Sequence, residues 1–288
     1  MLRGNKAGAT AAAEQGGMLR EEAWKVGLSR CTLADALERG ETGGAAALAW
    51  CALSGGDMAV PHHTRKQTTM IILHGSAGSP FFSRVRMQAY AKGLEIELRR
   101  TAQRTPEFQQ MNPLGKIPVL EHDGFVLPES LVICEYLEDA FPTPSLLGDT
   151  PQARARVRLV VRTVDLYCGG VMSLLRATSD PSFKIDAAAE RAGLDKGLDA
   201  LEVFLAGDGF AASKALSLAD CTLVPWLFYA TMLTKHGDDA LTRRPKLARY
   251  VEFIGGQELT RTIWGEMDEA YRAFITRWKA GQVAANNG

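Results

Sequence analysis

The chain lacks an excess of either charge: 33 Lys and Arg balance 33 Asp and Glu over 288 residues. That balance removes the basic surplus on which nonspecific nucleic-acid binding depends, so no nucleic-acid partner is expected. It also lacks a disulfide framework, because Cys31, Cys51, Cys134, Cys168 and Cys221 are odd in number and contain no Cys-x-x-Cys. A reducing compartment, the cytoplasm, suits them better. No apolar run reaches the length of a membrane helix, and the longest small-apolar stretch, Ala45 to Leu53, is far too short to span. No metal is expected, since His74 and His122 stand at no ligand spacing to a second histidine or cysteine.

What the chain does have is concentrated in Asn112 to Ser130, NPLGKIPVLEHDGFVLPES. Lys116-Ile117-Pro118-Val119-Leu120 begins a strand through a proline, which cannot donate to a ladder and belongs at a strand start or edge. A cis Ile117-Pro118 bond would turn the backbone N–H and C=O of Ile117 outward, where an extended ligand can pair with them as an added strand does. Pro128-Glu129-Ser130 then opens an amphipathic helix on which Leu131, Cys134, Leu137 and Phe141 recur at helical spacing. The free N–H groups and positive dipole end at Ser130 suit a carboxylate, and Glu129 beside it suits an ammonium. One amino-acid head group carries both charges.

Upstream, Met70 to His74 reads as a short buried strand, and Gly75 to Gly78 as a turn. Ser79 is the natural N-cap of a helix that starts on Pro80. Glu95 to Arg99 suits a second strand and Thr105 to Met111 a short helix, giving the order strand, helix, strand, helix, strand, strand, helix. That is a small α/β sandwich.

With these motifs in hand, residues 70 to about 282 resemble a soluble glutathione S-transferase. The resemblance rests on Ser79-Pro80-Phe81 ahead of Arg84-Val85-Arg86, Asn112-Pro113 ahead of Lys116-Ile117-Pro118, Glu129-Ser130, and Ser217-Leu218-Ala219-Asp220. It implies a thioredoxin-like glutathione-binding domain over 70–144 and an all-helical domain over 151–282 that lines the electrophile site. It further implies that Ile117, at the Pro118 bend, pairs with the cysteinyl backbone of glutathione, that Glu129 and Ser130 hold the γ-glutamyl end, and that Lys116 lies near the thiol-to-glycine part.

A free thiol titrates near about 8.5 and only the thiolate is a good nucleophile, so the enzyme gains by lowering that value. A hydroxyl that donates to sulfur at a helix N-terminus does so, and Ser79 sits at that point. Serine there cannot form the mixed disulfide of glutaredoxins and omega-like members, where a cysteine stands. The pattern is closest to serine-type enzymes of the tau class and bacterial β-etherase-like relatives. The serine-cysteine cluster of zeta-type isomerases is absent. The expected function is a detoxifying transferase that directs the glutathione thiolate at a hydrophobic electrophile; the alternative is a noncatalytic relative acting as a transcription- or translation-associated interaction module.

Each residue also has a plainer role. Ser79 can be an N-cap alone, with Ser76 and Ser83 as rival hydroxyls; Glu129 can be a solvated first-turn acid, and Lys116 an exposed strand-edge lysine. His74, His122 and Arg84 read as structural or solvated. Arg154, Arg158 and Arg162, four apart, make a solvated or subunit-facing stripe.

In the helical part, Val157, Val160, Val161, Val164, Cys168, Val171, Met172 and Leu175 form one long core-facing stripe. Further helices are expected at Asp186 to Leu205, Ser217 to Leu233, Pro245 to Ile254 and Glu258 to Trp278, with Ser217 and Asp220 as a capping box. The resemblance makes the first long helix a wall of the electrophile pocket, with Asp165, Tyr167, Cys168 and Met172 as candidates, and implies a homodimer. Residues 1–69 do not continue the strand-helix pattern. They are expected to form a poorly ordered extension, with Met70 as the functional start; their acids, among them Glu14, Glu21, Glu22, Glu38 and Glu41, disfavour a transit peptide.

Overall fold

The computed structural model describes residues 70–180 and 182–286, and the expectation for residues 1–69 lies outside them. The described part begins with β1 (Ile71–His74), α1 (Pro80–Lys92), β2 (Glu97–Arg99), α2 (Pro106–Met111), β3 (Val119–His122), β4 (Phe125–Pro128) and α3 (Ser130–Ala140). The strands form one sheet in the order β2-β1-β3-β4, with β1 parallel to β2 and antiparallel to β3. β1 is therefore central and buried along its whole length, which is why Ile71 to Leu73 read as an apolar run rather than an alternating one. This is the α/β layer expected from the order of elements, and the thioredoxin-like one that the resemblance implies.

Local chemistry sets the boundaries. Pro80 stands in the first turn of α1, where a missing N–H costs nothing, and Gly93 closes the helix at φ 65°. Thr105 caps α2 by accepting from Phe108 N at 3.3 Å. α3 turns Ile133, Cys134 and Leu137 into the core, while Leu131 and Phe141, named for that face in the sequence, are only half-buried.

The helical layer comprises α4 (Pro151–Tyr167), α5 (Gly170–Ser179), α6 (Ala187–Phe204), α7 (Leu218–Lys235), α8 (Pro245–Gly255) and α9 (Glu258–Asn286). The stripe expected from Val157 to Leu175 is thus two helices rather than one. Cys168 ends α4, and the glycine pair Gly169-Gly170 starts a new axis. The break is held from outside: Trp226 Nε1 donates to the Cys168 carbonyl at 2.9 Å. α6 approaches so closely that a Cβ on Gly197 would stand 2.6 Å from the Tyr167 carbonyl oxygen.

α7 is buried on nearly every face and packs against α1, α4 and α5, which makes it the axis of the molecule. Its N-terminus is organised by Asp220, which is wholly buried. The Asp220 carboxylate accepts from Ala211 N at 2.7 Å, from Ser217 N and Ser217 Oγ at 2.8 Å each, and from Tyr250 Oη at 3.0 Å. The capping aspartate therefore also ties the loop before α7 to α8. Burial pushes its carboxyl above the usual range, and the four donors oppose that shift.

Candidate functional site

The loop between β1 and α1 can approach β3 only because Gly75 has no side chain. Gly75 has φ +150°, and a Cβ there would stand 2.6 Å from the Phe82 ring and 3.2 Å from Ile117 Cβ. That close approach brings the Ser79 end of the loop to the Ile117-Pro118 bond, which is cis. The β3–β4 register pairs Val119 with Pro128, so Pro118 and Glu129 are the next positions on neighbouring strand ends. Ser79, Ile117, Pro118, Glu129 and Ser130 are thereby gathered at one end of the sheet, from segments up to fifty residues apart.

Ser79 is the N-cap of α1, and its Oγ accepts from Phe82 N at 3.4 Å. Among the described residues no acceptor takes the Ser79 hydroxyl hydrogen. Ser83, its rival inside the helix, is buried and donates to the Ala77 carbonyl at 2.9 Å. Ser76, the other rival, shares the cavity with Ser79 and accepts the Ser79 N–H on its backbone oxygen at 2.9 Å.

Glu129 is exposed at φ 71°, a region that non-glycine residues adopt at some cost, and its own carboxylate makes no capping bond to α3. Beside it Ser130 is buried, and its Oγ accepts from Arg84 Nη1 at 3.3 Å. The first N–H groups of α3 have no intrahelical acceptor, so this corner presents donors next to an exposed acid. Lys116 is exposed at the strand edge, and its carbonyl accepts from Asn112 Nδ2 at 2.7 Å.

Arg84, read from sequence as structural or solvated, is structural. It is buried, and it donates through Nη1 to Asp165 Oδ2 at 3.1 Å and through Nη2 to Asp165 Oδ1. One guanidinium thus ties α1 to the start of α3 at Ser130 and to the last turn of α4 at Asp165. Asp165, named as a pocket wall, is committed to that ion pair.

A cavity of about 530 Å³ runs from Ser76, Gly78, Ser79 and Ile117 to walls from α5, α7 and α9. Of the wall candidates, Met172 lines it and Tyr167 and Cys168 do not. Tyr167 lines a separate cleft with Gly170 and Asp186 on the outer side of α4. Cys168 is wholly buried, and burial pushes its thiol up to about 12, so it stays protonated in the core.

The residues that sequence reasoning missed are Tyr229, Phe183, Tyr271, Phe274, Arg176 and Arg277. Tyr229 donates its hydroxyl to the Gly78 carbonyl and so fixes the loop that presents Ser79. Nothing in the chain separates these aromatics from core aromatics at the same helical spacing. Among the described residues no group of three or more His, Cys, Asp or Glu is placed to hold a metal.

Residues 73–145 match the glutathione S-transferase N-terminal domain, and residues 185–253 match the glutathione S-transferase C-terminal domain. Glutathione S-transferase omega-1 of Mus musculus is 30% identical over 198 residues, covering 60% of this chain and 82% of that one. The chain belongs to the glutathione S-transferase family. Family members use glutathione as substrate or cofactor. Maleylacetoacetate isomerase of Mus musculus is 33% identical over 153 residues, 49% of this chain and 69% of that one. The solved structure of a glutathione S-transferase from Methylobacillus flagellatus with glutathione bound superposes with a TM-score of 0.59 at 25% identity, covering 67% of this chain and 98% of that one.

Proposed function

We propose that this family member is a serine-type glutathione transferase. Glutathione lies along the Ile117-Pro118 edge, its γ-glutamyl carboxylate on the first N–H groups of α3 at Ser130 and its ammonium on Glu129, with Lys116 beside the thiol-to-glycine part. The sulfur then reaches Ser79. The thiol proton leaves to solvent, the thiolate forms a bond to an electrophilic carbon, and the leaving group departs with the bonding pair.

The observation that carries this reading is the Ser79 hydroxyl hydrogen, uncommitted among the described residues and opening on an apolar cavity. A donated hydroxyl plus a helix N-terminus lowers a thiol by roughly one to two units, or about 1.4 kcal/mol per unit in favour of the anion. Among the described residues the lining holds no cysteine, and serine stands at position 79, which favours thiolate transfer over the mixed-disulfide chemistry of cysteine-type relatives. The cytoplasm and a homodimer complete the proposal.

Calorimetry with glutathione, followed by thiolate absorbance in the complex, tests it. Ser79→Ala should keep glutathione affinity and lower turnover of a reactive aryl halide roughly 10- to 100-fold, the thiolate population lost with one to two units. Glu129→Ala should instead weaken glutathione binding about ten-fold. Absence of binding at millimolar glutathione would overturn the reading, and binding with an unshifted thiol would leave an interaction module. Similarity to maleylacetoacetate isomerases supports a second reading, in which glutathione is regenerated rather than consumed. Its mass balance over many turnovers separates the two.

A further inference from the structure

Among the residues that line the cavity, Arg176 from α5 and Arg277 from α9 are the charged ones, and no Asp or Glu stands with them. An apolar cavity that only had to exclude water and hold a hydrocarbon would gain nothing from two guanidinium groups. Their existing partners leave them available. Arg176 reaches Asp180 Oδ2 only at 3.4 Å, and Asp180 already accepts from Ser182 N at 3.1 Å and from Ser182 Oγ. That serine, with Arg176, holds the Asp180 carboxyl below its ordinary range. The Arg176 guanidinium carbon lies over the Phe183 ring, 4.0 Å from its centroid, a cation–π contact that takes up none of its N–H donors in an ion pair. Among the described residues Arg277 makes no ion pair.

The aromatic walls Phe183, Tyr271 and Phe274 complete the picture. Flat apolar surface suits a ring, and a guanidinium offers a planar fork that matches a carboxylate or sulfonate.

We infer that the second substrate is an anionic aromatic electrophile, a ring carrying a carboxylate or sulfonate, held by Arg176 and Arg277 while its reactive carbon faces Ser79. This rests on the transferase reading for what happens to the ligand, but the recognition itself can be measured without glutathione.

The test is a fluorescence titration of the full chain with 8-anilinonaphthalene-1-sulfonate and with N-phenyl-1-naphthylamine, which share the same rings and differ by the sulfonate. The anionic probe should bind at least ten-fold more tightly. Arg277→Met and Arg176→Met should each lower the ratio of anionic to neutral affinity about ten-fold, while Arg277→Lys, which keeps the charge, should retain most of it. In kinetics with glutathione, 4-chloro-3,5-dinitrobenzoate should be preferred to its methyl ester after each rate is divided by the uncatalysed one, as the thiolate sulfur replaces chloride on the ring carbon. Equal affinity for the two probes overturns the inference, as does an unchanged affinity ratio in both methionine variants. Failure to bind glutathione would overturn the transferase reading and leave the probe result to stand or fall by itself.

Discussion

At the scale of single residues, function depends on which polar atoms are left free. Ser79 keeps a hydroxyl hydrogen to give, whereas Ser83, four positions on, has spent its own on Ala77. The thiols show the opposite condition. Burial pushes Cys134 and Cys168 from an ordinary 9.0 up to about 12, and pushes Cys221 up as well. In a Cys31→Ser/Cys51→Ser background, a disulfide thiol reagent at pH 8 should therefore label nothing until denaturant is added. The sign of the pH dependence follows. The folded state holds these protons to a higher pH than the unfolded chain, so their contribution is intact below pH 9 and lost as pH rises through about 12. Stability should fall by about 1.4 kcal/mol per pH unit for each such thiol within that window, as read from urea midpoints.

At the scale of elements, helix ends decide more than helix interiors. The caps Ser79, Thr105 and Thr150 each accept a first-turn N–H and each stands directly before a proline, though only Ser79 was read as a cap from the sequence. Asp220 was legible as a cap but not as a junction. Its partners Ala211 and Tyr250 come from a loop and a helix whose approach no local pattern announces. Asp220→Ala would strand buried donors on three segments, so the expected loss is about 3 kcal/mol or more rather than the roughly 1 kcal/mol of an ordinary cap. Urea unfolding followed by circular dichroism measures it, and a loss near 1 kcal/mol would reduce Asp220 to its capping role. The α4–α5 break has a similar lesson: Gly169-Gly170 was its signal in the chain, but the apolar spacing ran across it without interruption.

At the scale of the whole molecule, Arg84 joins the α/β layer to the helical one. It contacts Ser130 at the start of α3 and Asp165 on α4, so one side chain couples the Glu129–Ser130 corner to the helical layer. Arg84→Met would leave Asp165 partly buried without a partner, a loss of about 3 kcal/mol on the scale of broken buried pairs. Glutathione affinity should fall with it, and Arg84→Met/Asp165→Leu should recover part of the stability. Differential scanning calorimetry with and without glutathione reads both effects; additive losses in the double variant would show that the two residues act independently.

The sequence by itself determined the order of strands and helices in the α/β layer, the helix entrances at Ser79 and Ser217, and the proline, acid and serine of the sheet-end corner. These depend on neighbours within a few positions, where backbone sterics and first-turn N–H groups dominate. Tertiary structure alone decided which side chains meet in the cavity. Met172 faces it while Cys168, four residues earlier on the same stripe, is sealed in the core, because the axis turns at Gly169 and Trp226 holds the turn. Phe183, Tyr229 and Phe274 reach it from three segments spread over ninety residues. Helical spacing records that a face is apolar, and packing settles whether that face meets protein or ligand.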